Sequence, residues 1–137
     1  MKKGFYLIEV IIGLFLLGLI TVSILPLNNI IIFNLKNQKH KYNMLYIAEM
    51  AIERILSYNN EYSNNLLIYD VEVGELIKEF NKDNYVEILL DKDEYEYPIK
   101  IIKNDKSDTL WHVRVLVYNK SGEESHNVEL KAYIPKK

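Results

Sequence analysis

Few residues in this chain have the type and spacing to do chemistry. His40, His112 and His126 fall in three separate segments, with no HExxH spacing and no cysteine anywhere to complete a ligand set. Structural or surface roles are expected for them. Asp91, Asp93, Glu94 and Glu96 crowd carboxylate oxygens together, the ligand type that calcium takes, but the glycine turn of a calcium loop is missing. A solvated acidic turn is the expected state there, and Asp105 with Asp108 reads the same way. No GxSxG, phosphate-loop or dinucleotide glycine pattern occurs. No catalytic residue, metal ligand or cofactor is expected, and the chain does not read as an enzyme. One titratable group remains: Glu9 stands at the edge of the most apolar run in the protein, where an ionised carboxylate is costly.

The elements that must position Glu9 begin with that run. From Val10 to Leu35 there is no charged residue, and in Val10 to Leu27 only Gly13, Gly18, Thr21 and Ser23 are small or polar. A helix needs roughly 20 such residues to cross a bilayer. A buried helix of a soluble protein would need apolar neighbours on every side, which the rest of the 137 residues cannot supply. Lys2 and Lys3 resemble the start of a secretory signal, whose apolar part runs for about 7 to 15 residues before a small-residue cut site. This run is longer, and Thr21 and Ser23 lead straight into Ile24, Leu25 and Pro26, so a retained anchor is expected. Lys2 and Lys3 before the run are balanced by Lys36, Lys39 and Lys41 after it, and charge counting does not settle orientation.

Composition narrows the classes further. The length fits one small domain plus an appendage. With 17 Lys and Arg against 19 Asp and Glu, the chain lacks the broad positive footprint of a nucleic-acid binder. Without cysteine, an exported chain folds on packing alone.

Glu9 has two readings. It is either a headgroup-level carboxylate at a helix N-terminus, favoured by up to about 1 kcal/mol by the macrodipole, or a group pulled below the interface by Phe5, Tyr6, Leu7 and Ile8 and in need of a cation. Lys2-Lys3-Gly4 followed by Phe5-Tyr6-Leu7-Ile8-Glu9 resembles the prepilin cleavage motif of type IV pilins and of the pseudopilins of type II secretion and competence systems. The resemblance implies cutting after Gly4 by a prepilin peptidase and methylation of the new amino group on Phe5. Glu9 is then the fifth residue of the cut chain, where this family keeps its glutamate. Gly18 and Pro26 stand fourteenth and twenty-second, where many pilins carry a glycine and a helix-bending proline. Tyr6 departs from the family's usual threonine and points toward a minor pilin or pseudopilin. The resemblance covers about residues 1 to 35.

Each landmark also has a physical reason. Glycine before the cut leaves a protease room to approach the backbone. An amine and a carboxylate attract far more strongly in apolar surroundings than in water, so pairing Glu9 of one copy with the Phe5 amine of another would reward packing in register. Pro26 removes one backbone N–H, which predicts a kink or local unwinding over residues 22 to 26, with Thr21 and Ser23 helping to satisfy the freed carbonyls.

Beyond Leu35 the pattern becomes amphipathic. Leu45, Ala48, Ile52 and Ile55, joined by Met44, Ala51 and Leu56, form one apolar helical stripe. Ser57, Asn59 and Asn60, then Ser63, Asn64 and Asn65, supply helix-stopping and turn residues. Strands are predicted over Tyr85 to Leu90, Tyr97 to Lys103, Thr109 to Tyr118 and His126 to Ile134. The last two form a hairpin through the turn-rich residues 119 to 124. Leu66 to Val73 is a further candidate strand, and Glu75 to Asn81 a short helix with Leu76, Ile77 and Phe80 inward.

The predicted fold class is α+β and pilin-like: a long N-terminal helix, membrane half then amphipathic half, packed on an antiparallel sheet of three or four strands. The expected divisions are a leader over 1–4, a transmembrane or filament-core half over 5–35, an amphipathic half over 36–60 and a sheet head over 61–137. The resemblance implies a filament subunit of a pilus, secretion or competence system, with other pilin subunits, a prepilin peptidase, an assembly platform and the membrane as partners. Direct nucleic-acid binding is not expected. The expected location is the cytoplasmic membrane, single-pass with the head outside, and then a surface or periplasm-spanning filament. The competing reading is a single-pass anchored binding or sensor domain that does not polymerise.

Overall fold

The computed structural model describes residues 2–59, 66–120 and 127–137. The first helix, α1 (Lys2–Ser57), is uninterrupted. The chain divides into two compact units, Met1–Lys39 and His40–Lys137.

The first unit is helix alone. Every residue from Gly4 through Lys36 is exposed. Leucines, which lose little rotamer freedom in a helix, recur along it, and the β-branched isoleucines are accommodated because in apolar surroundings a helix satisfies every backbone polar group internally.

The second unit carries the core. In its part of α1 the buried residues are Met44, Ala48, Ala51 and Ile55, at steps of four, three and four. This axis differs slightly from the predicted stripe. Leu45 and Ile52 flank it half-buried, and Leu56, one hundred degrees round from Ile55, is exposed. The two alanines on the axis belong to the same buried cluster as the sheet residues. α1 ends at Ser57, whose Oγ donates to the Arg54 carbonyl at 3.3 Å. The predicted turn residues Asn60, Ser63, Asn64 and Asn65 lie outside the described residues.

The candidate strand over Leu66 to Val73 is instead a small hairpin. β1 (Leu67–Ile68) and β2 (Val71–Glu72) pair antiparallel around Tyr69 and Asp70. Tyr69 takes a left-handed backbone conformation, φ 52°, which folds the segment back on itself. The chain runs directly into α2 (Val73–Lys82), longer by a few residues than predicted, which buries Val73, Leu76, Ile77 and Phe80. Glu75 in its first turn and Lys82 in its last suit the helix dipole.

Four strands follow, β3 (Tyr85–Leu90), β4 (Ile99–Asp105), β5 (Leu110–Tyr118) and β6 (Asn127–Pro135). They form an antiparallel meander in the order β3-β4-β5-β6. Register places Ile101 opposite Val115, and Val115 opposite Leu130, on one face. Ile99, Ile101, Trp111, Val113, Val115, Val117 and Ile134 are buried there with the α1 and α2 residues, and Phe80 meets Trp111 edge-on at 5.5 Å between centroids. Each fully buried side chain of this size contributes about 1.5–3 kcal/mol. The architecture is α+β, a long N-terminal helix packed on a four-stranded antiparallel sheet. Of the β5–β6 connection, residues 121–126, including His126, lie outside the described residues.

Candidate functional site

Gly4, Phe5 and Glu9 sit on consecutive turns of α1. Phe5 and Glu9, four residues apart, lie on the same side of the helix, and side chains there lean toward the N-terminus. Glu9 is exposed and has no ion pair or side-chain hydrogen bond among the described residues, while the apolar side chains around it, from Phe5 to Val10, are more than half exposed. A Cβ added at Gly4, Gly13 or Gly18 would meet nothing within 4 Å. Nothing inside the chain demands glycine at those positions. Gly74 is the opposite case, because a Cβ there would come within 3.1 Å of the Tyr58 hydroxyl.

Pro26 lies within α1, and the chain remains α-helical at every residue from 22 to 26. Local unwinding is therefore absent. The hydroxyls do not serve the freed carbonyl either. A proline at 26 deprives the carbonyl of Val22, four residues back, of its donor. Thr21 Oγ1 donates to Leu17 and Ser23 Oγ to Leu19, each at 2.8 Å. Each hydroxyl bonds one turn back along its own helix, the local choice these side chains make when no other acceptor is near.

In the second unit the chemistry-bearing residues are already engaged. Lys120 pairs with Asp91 at 2.6 Å, and Lys92 pairs with Asp70 at 2.7 Å. The Tyr95 hydroxyl also donates to Asp70 at 2.7 Å, and its ring stacks on Tyr69 at 4.1 Å between centroids. The Lys92 hydrogen bond, then that from Tyr95, holds the Asp70 carboxyl below its ordinary range. Lys92 and Tyr95 thus tie the acidic segment to the β1–β2 turn, Lys120 ties it to the end of β5, and Asp93, Glu94 and Glu96 remain exposed. Among the described residues no three His, Asp or Glu side chains converge as a metal site would require. His40 Nδ1 lies 2.7 Å from the Tyr97 hydroxyl, and Asn43 Nδ2 donates to that hydroxyl at 3.4 Å. His112 stacks on Tyr133 at 5.0 Å.

Comparison of the chain with family models, with curated proteins and with solved structures returns no match.

One polar cluster was not foreseen from the sequence. Lys103 is almost wholly buried, ion-paired with Asp105, donating to the Asp83 carbonyl at 2.6 Å, with its ammonium 5.6 Å from the Trp111 ring centre. The second carboxylate oxygen of Asp105 meets Lys136 at 2.6 Å. Lys103, then Lys136, holds the Asp105 carboxyl below its usual range. The signal was present in β4: Ile99, Ile101, Lys103 and Asp105 share one face by alternation, so the inward row ends in two charges that must meet. The buried cation is thus held by a carboxylate, a carbonyl and a ring face.

The arrangement divides the chain's capabilities. The second unit pairs many of its charged side chains with one another. The first presents an apolar helix, none of it buried, long and apolar enough to cross a membrane, with one carboxylate near its start.

Proposed function

We propose that the chain is a structural subunit, a minor pilin or pseudopilin, of a helical filament of the type IV pilus, type II secretion or competence kind. It is made as a precursor, cut after Gly4 by a prepilin peptidase and methylated on Phe5. Residues 5–35 hold it in the cytoplasmic membrane, head outside, until an assembly platform moves it into the filament. There the apolar helices pack together as the core, through head-to-tail contacts that propagate without closing.

One observation carries this reading: Glu9 has no cationic partner among the described residues, in a helix whose apolar surface is wholly exposed. A carboxylate in hydrocarbon needs a cation. Cutting after Gly4 creates one on the Phe5 nitrogen, four residues away along the helix, and a neighbouring copy brings it within reach at an axial step on the order of 6 Å. The open space at Gly4 and Gly18 supports the same reading, since a glycine that its own chain does not require suits the approach of a protease or another helix.

The test is the mass of the protein in membranes and in sheared surface filaments, from cells with and without a prepilin peptidase. The expected result is a chain beginning at Phe5 with one added methyl group, present only when the peptidase is. A chain retaining Lys2 and Lys3 in both cases would overturn the filament reading and leave a single-pass anchored domain.

A further inference from the structure

We infer that Lys36 and Lys39 form a binding site for the phosphate group of phospholipids with a net negative headgroup, in the leaflet that α1 reaches at the end of its uncharged run. The inference rests only on the membrane anchor within the reading above, and holds whether or not the chain polymerises.

Both lysines belong to the first unit, are exposed, and have no ion pair among the described residues. No Asp or Glu occurs between Glu9 and Glu49, so no carboxylate stands three or four residues from either lysine, the spacing at which helical charges pair. The head treats its lysines differently: Lys92, Lys100, Lys103, Lys120 and Lys136 each reach a carboxylate of the same chain. An anion for Lys36 and Lys39 has to come from outside the chain. A bilayer with anionic lipids supplies one at its surface, as a layer of phosphate that attracts lysines next to a membrane helix.

Length puts the two lysines at that layer. Residues 10–35 are helical, carry no charge, and extend about 39 Å at the helical rise. A hydrocarbon core is roughly 30 Å thick, and roughly 40–45 Å with both headgroup layers. At a tilt of about 20° the run covers about 37 Å along the bilayer normal, so with Val10 at one hydrocarbon boundary Lys36 stands about 7 Å beyond the other, within the headgroups. Side chains on a helix lean toward its N-terminus. For both lysines that direction is back toward the bilayer, and their long stems carry the ammoniums down to phosphate level. Three residues apart, their Cβ atoms are about 5–6 Å from each other, which lets two ammoniums hold one phosphate.

Lipid retention tests the site on the full chain. Every protein compared carries Lys2→Gln and Lys3→Gln, so that headgroup contacts at the other end of α1 do not contribute, and Lys41 stays in place throughout. Purified in a neutral detergent, the chain is offered equal amounts of phosphatidylglycerol and phosphatidylcholine, and the lipids it keeps are counted by native mass spectrometry. The expected result is a preference for phosphatidylglycerol that falls on the order of ten-fold in Lys36→Gln with Lys39→Gln. Lys36→Arg with Lys39→Arg is expected to keep it. Trp111 fluorescence should be the same in all of these chains, which separates loss of lipid from unfolding of the head. An unchanged preference in the glutamine variant would overturn the site. Inorganic phosphate held in lipid-free detergent as tightly as phosphatidylglycerol would assign the lysines to a free anion and overturn the lipid as its source. Either outcome, alongside filaments whose subunits begin at Phe5, would leave the filament reading standing; a chain that fractionates without membranes would remove both.

Discussion

Residues 4–36 and the head treat their polar groups in opposite ways. In the head, Lys82, Lys92, Lys100, Lys103, Arg114, Lys120, Lys131 and Lys136 each reach a carboxylate, and the apolar side chains close on one another around Trp111. Along residues 4–36 nothing is buried, the glycines face open space and Glu9 has no partner among the described residues. The head buries its core within a single copy. An apolar surface as extensive as that of the first unit is stable in hydrocarbon or against other helices, and not in water.

Substitutions can break or sharpen that contrast. The largest effect is expected at Gly4. Gly4→Val should abolish cutting, leaving a mature mass that retains the first four residues; a normally processed variant would remove the assigned cut site. Next is the head core. Ile101→Ala should destabilise the head by about 2–5 kcal/mol, read by Trp111 fluorescence during urea unfolding of the full chain in detergent, whereas Ile20→Ala should shift the same transition by less than about 0.5 kcal/mol. Equal effects would mean that the two regions are not energetically separate. Third is the buried cluster. Lys103→Met keeps the length and removes the charge, and should change stability by less than about 1.5 kcal/mol in either direction. Asp105→Asn leaves a buried ammonium without its anion, and should be the more damaging of the two.

The same cluster sets a dependence on pH. The folded Asp105 carboxyl is depressed by Lys103 and then Lys136, so its stabilisation is present above the unfolded value, about 3.9, and is lost as pH falls through the lower folded value. Asp105→Asn should flatten that part of the acid limb of stability, measured by the unfolding midpoint from pH 5 downward. A smaller effect is expected at Glu9. Glu9→Ala should leave insertion and cutting intact and reduce incorporation into filaments about ten-fold, equivalent to about 1.4 kcal/mol; normal incorporation would exclude the proposed pair. The smallest contrast compares two glycines. Gly18→Ala should favour the lone helix by up to about 1 kcal/mol while impairing assembly, and Gly74→Ala should gain less because its Cβ presses on Tyr58.

Much of this was legible in the sequence because burial imposes a period. Tyr85 to Leu90 reads as a strand with the bounds found, and alternation through Trp111, Val113, Val115 and Val117 gives the buried face of β5 directly. The β1–β2 hairpin escaped because its turn uses Tyr69 and Asp70 in place of glycine or asparagine. Tyr69 is held in the left-handed region by contacts with Tyr95 and the Tyr97 carbonyl, more than twenty residues away in sequence. Lys103 escaped for a related reason: a lysine in a strand is ordinarily an outward residue, and only the register with β5 brings it beside Trp111. Pro26 suggested a kink or local unwinding, and the chain stays α-helical through residues 22 to 26, because one missing donor leaves the rest of the hydrogen-bond ladder intact. Glu9 was conspicuous from the start, since charge in an apolar run needs no tertiary information to be noticed.

Each strand of the four-stranded sheet pairs only with its neighbours in sequence, and the connections across 91–98, 106–109 and 119–126 are short. Closing such loops costs little chain entropy, so the sheet can zip up hairpin by hairpin and rapidly. With no thiols to oxidise, the head needs no redox catalyst to reach its native state. A copy newly threaded through a bilayer would present a finished surface to its neighbours soon after emerging.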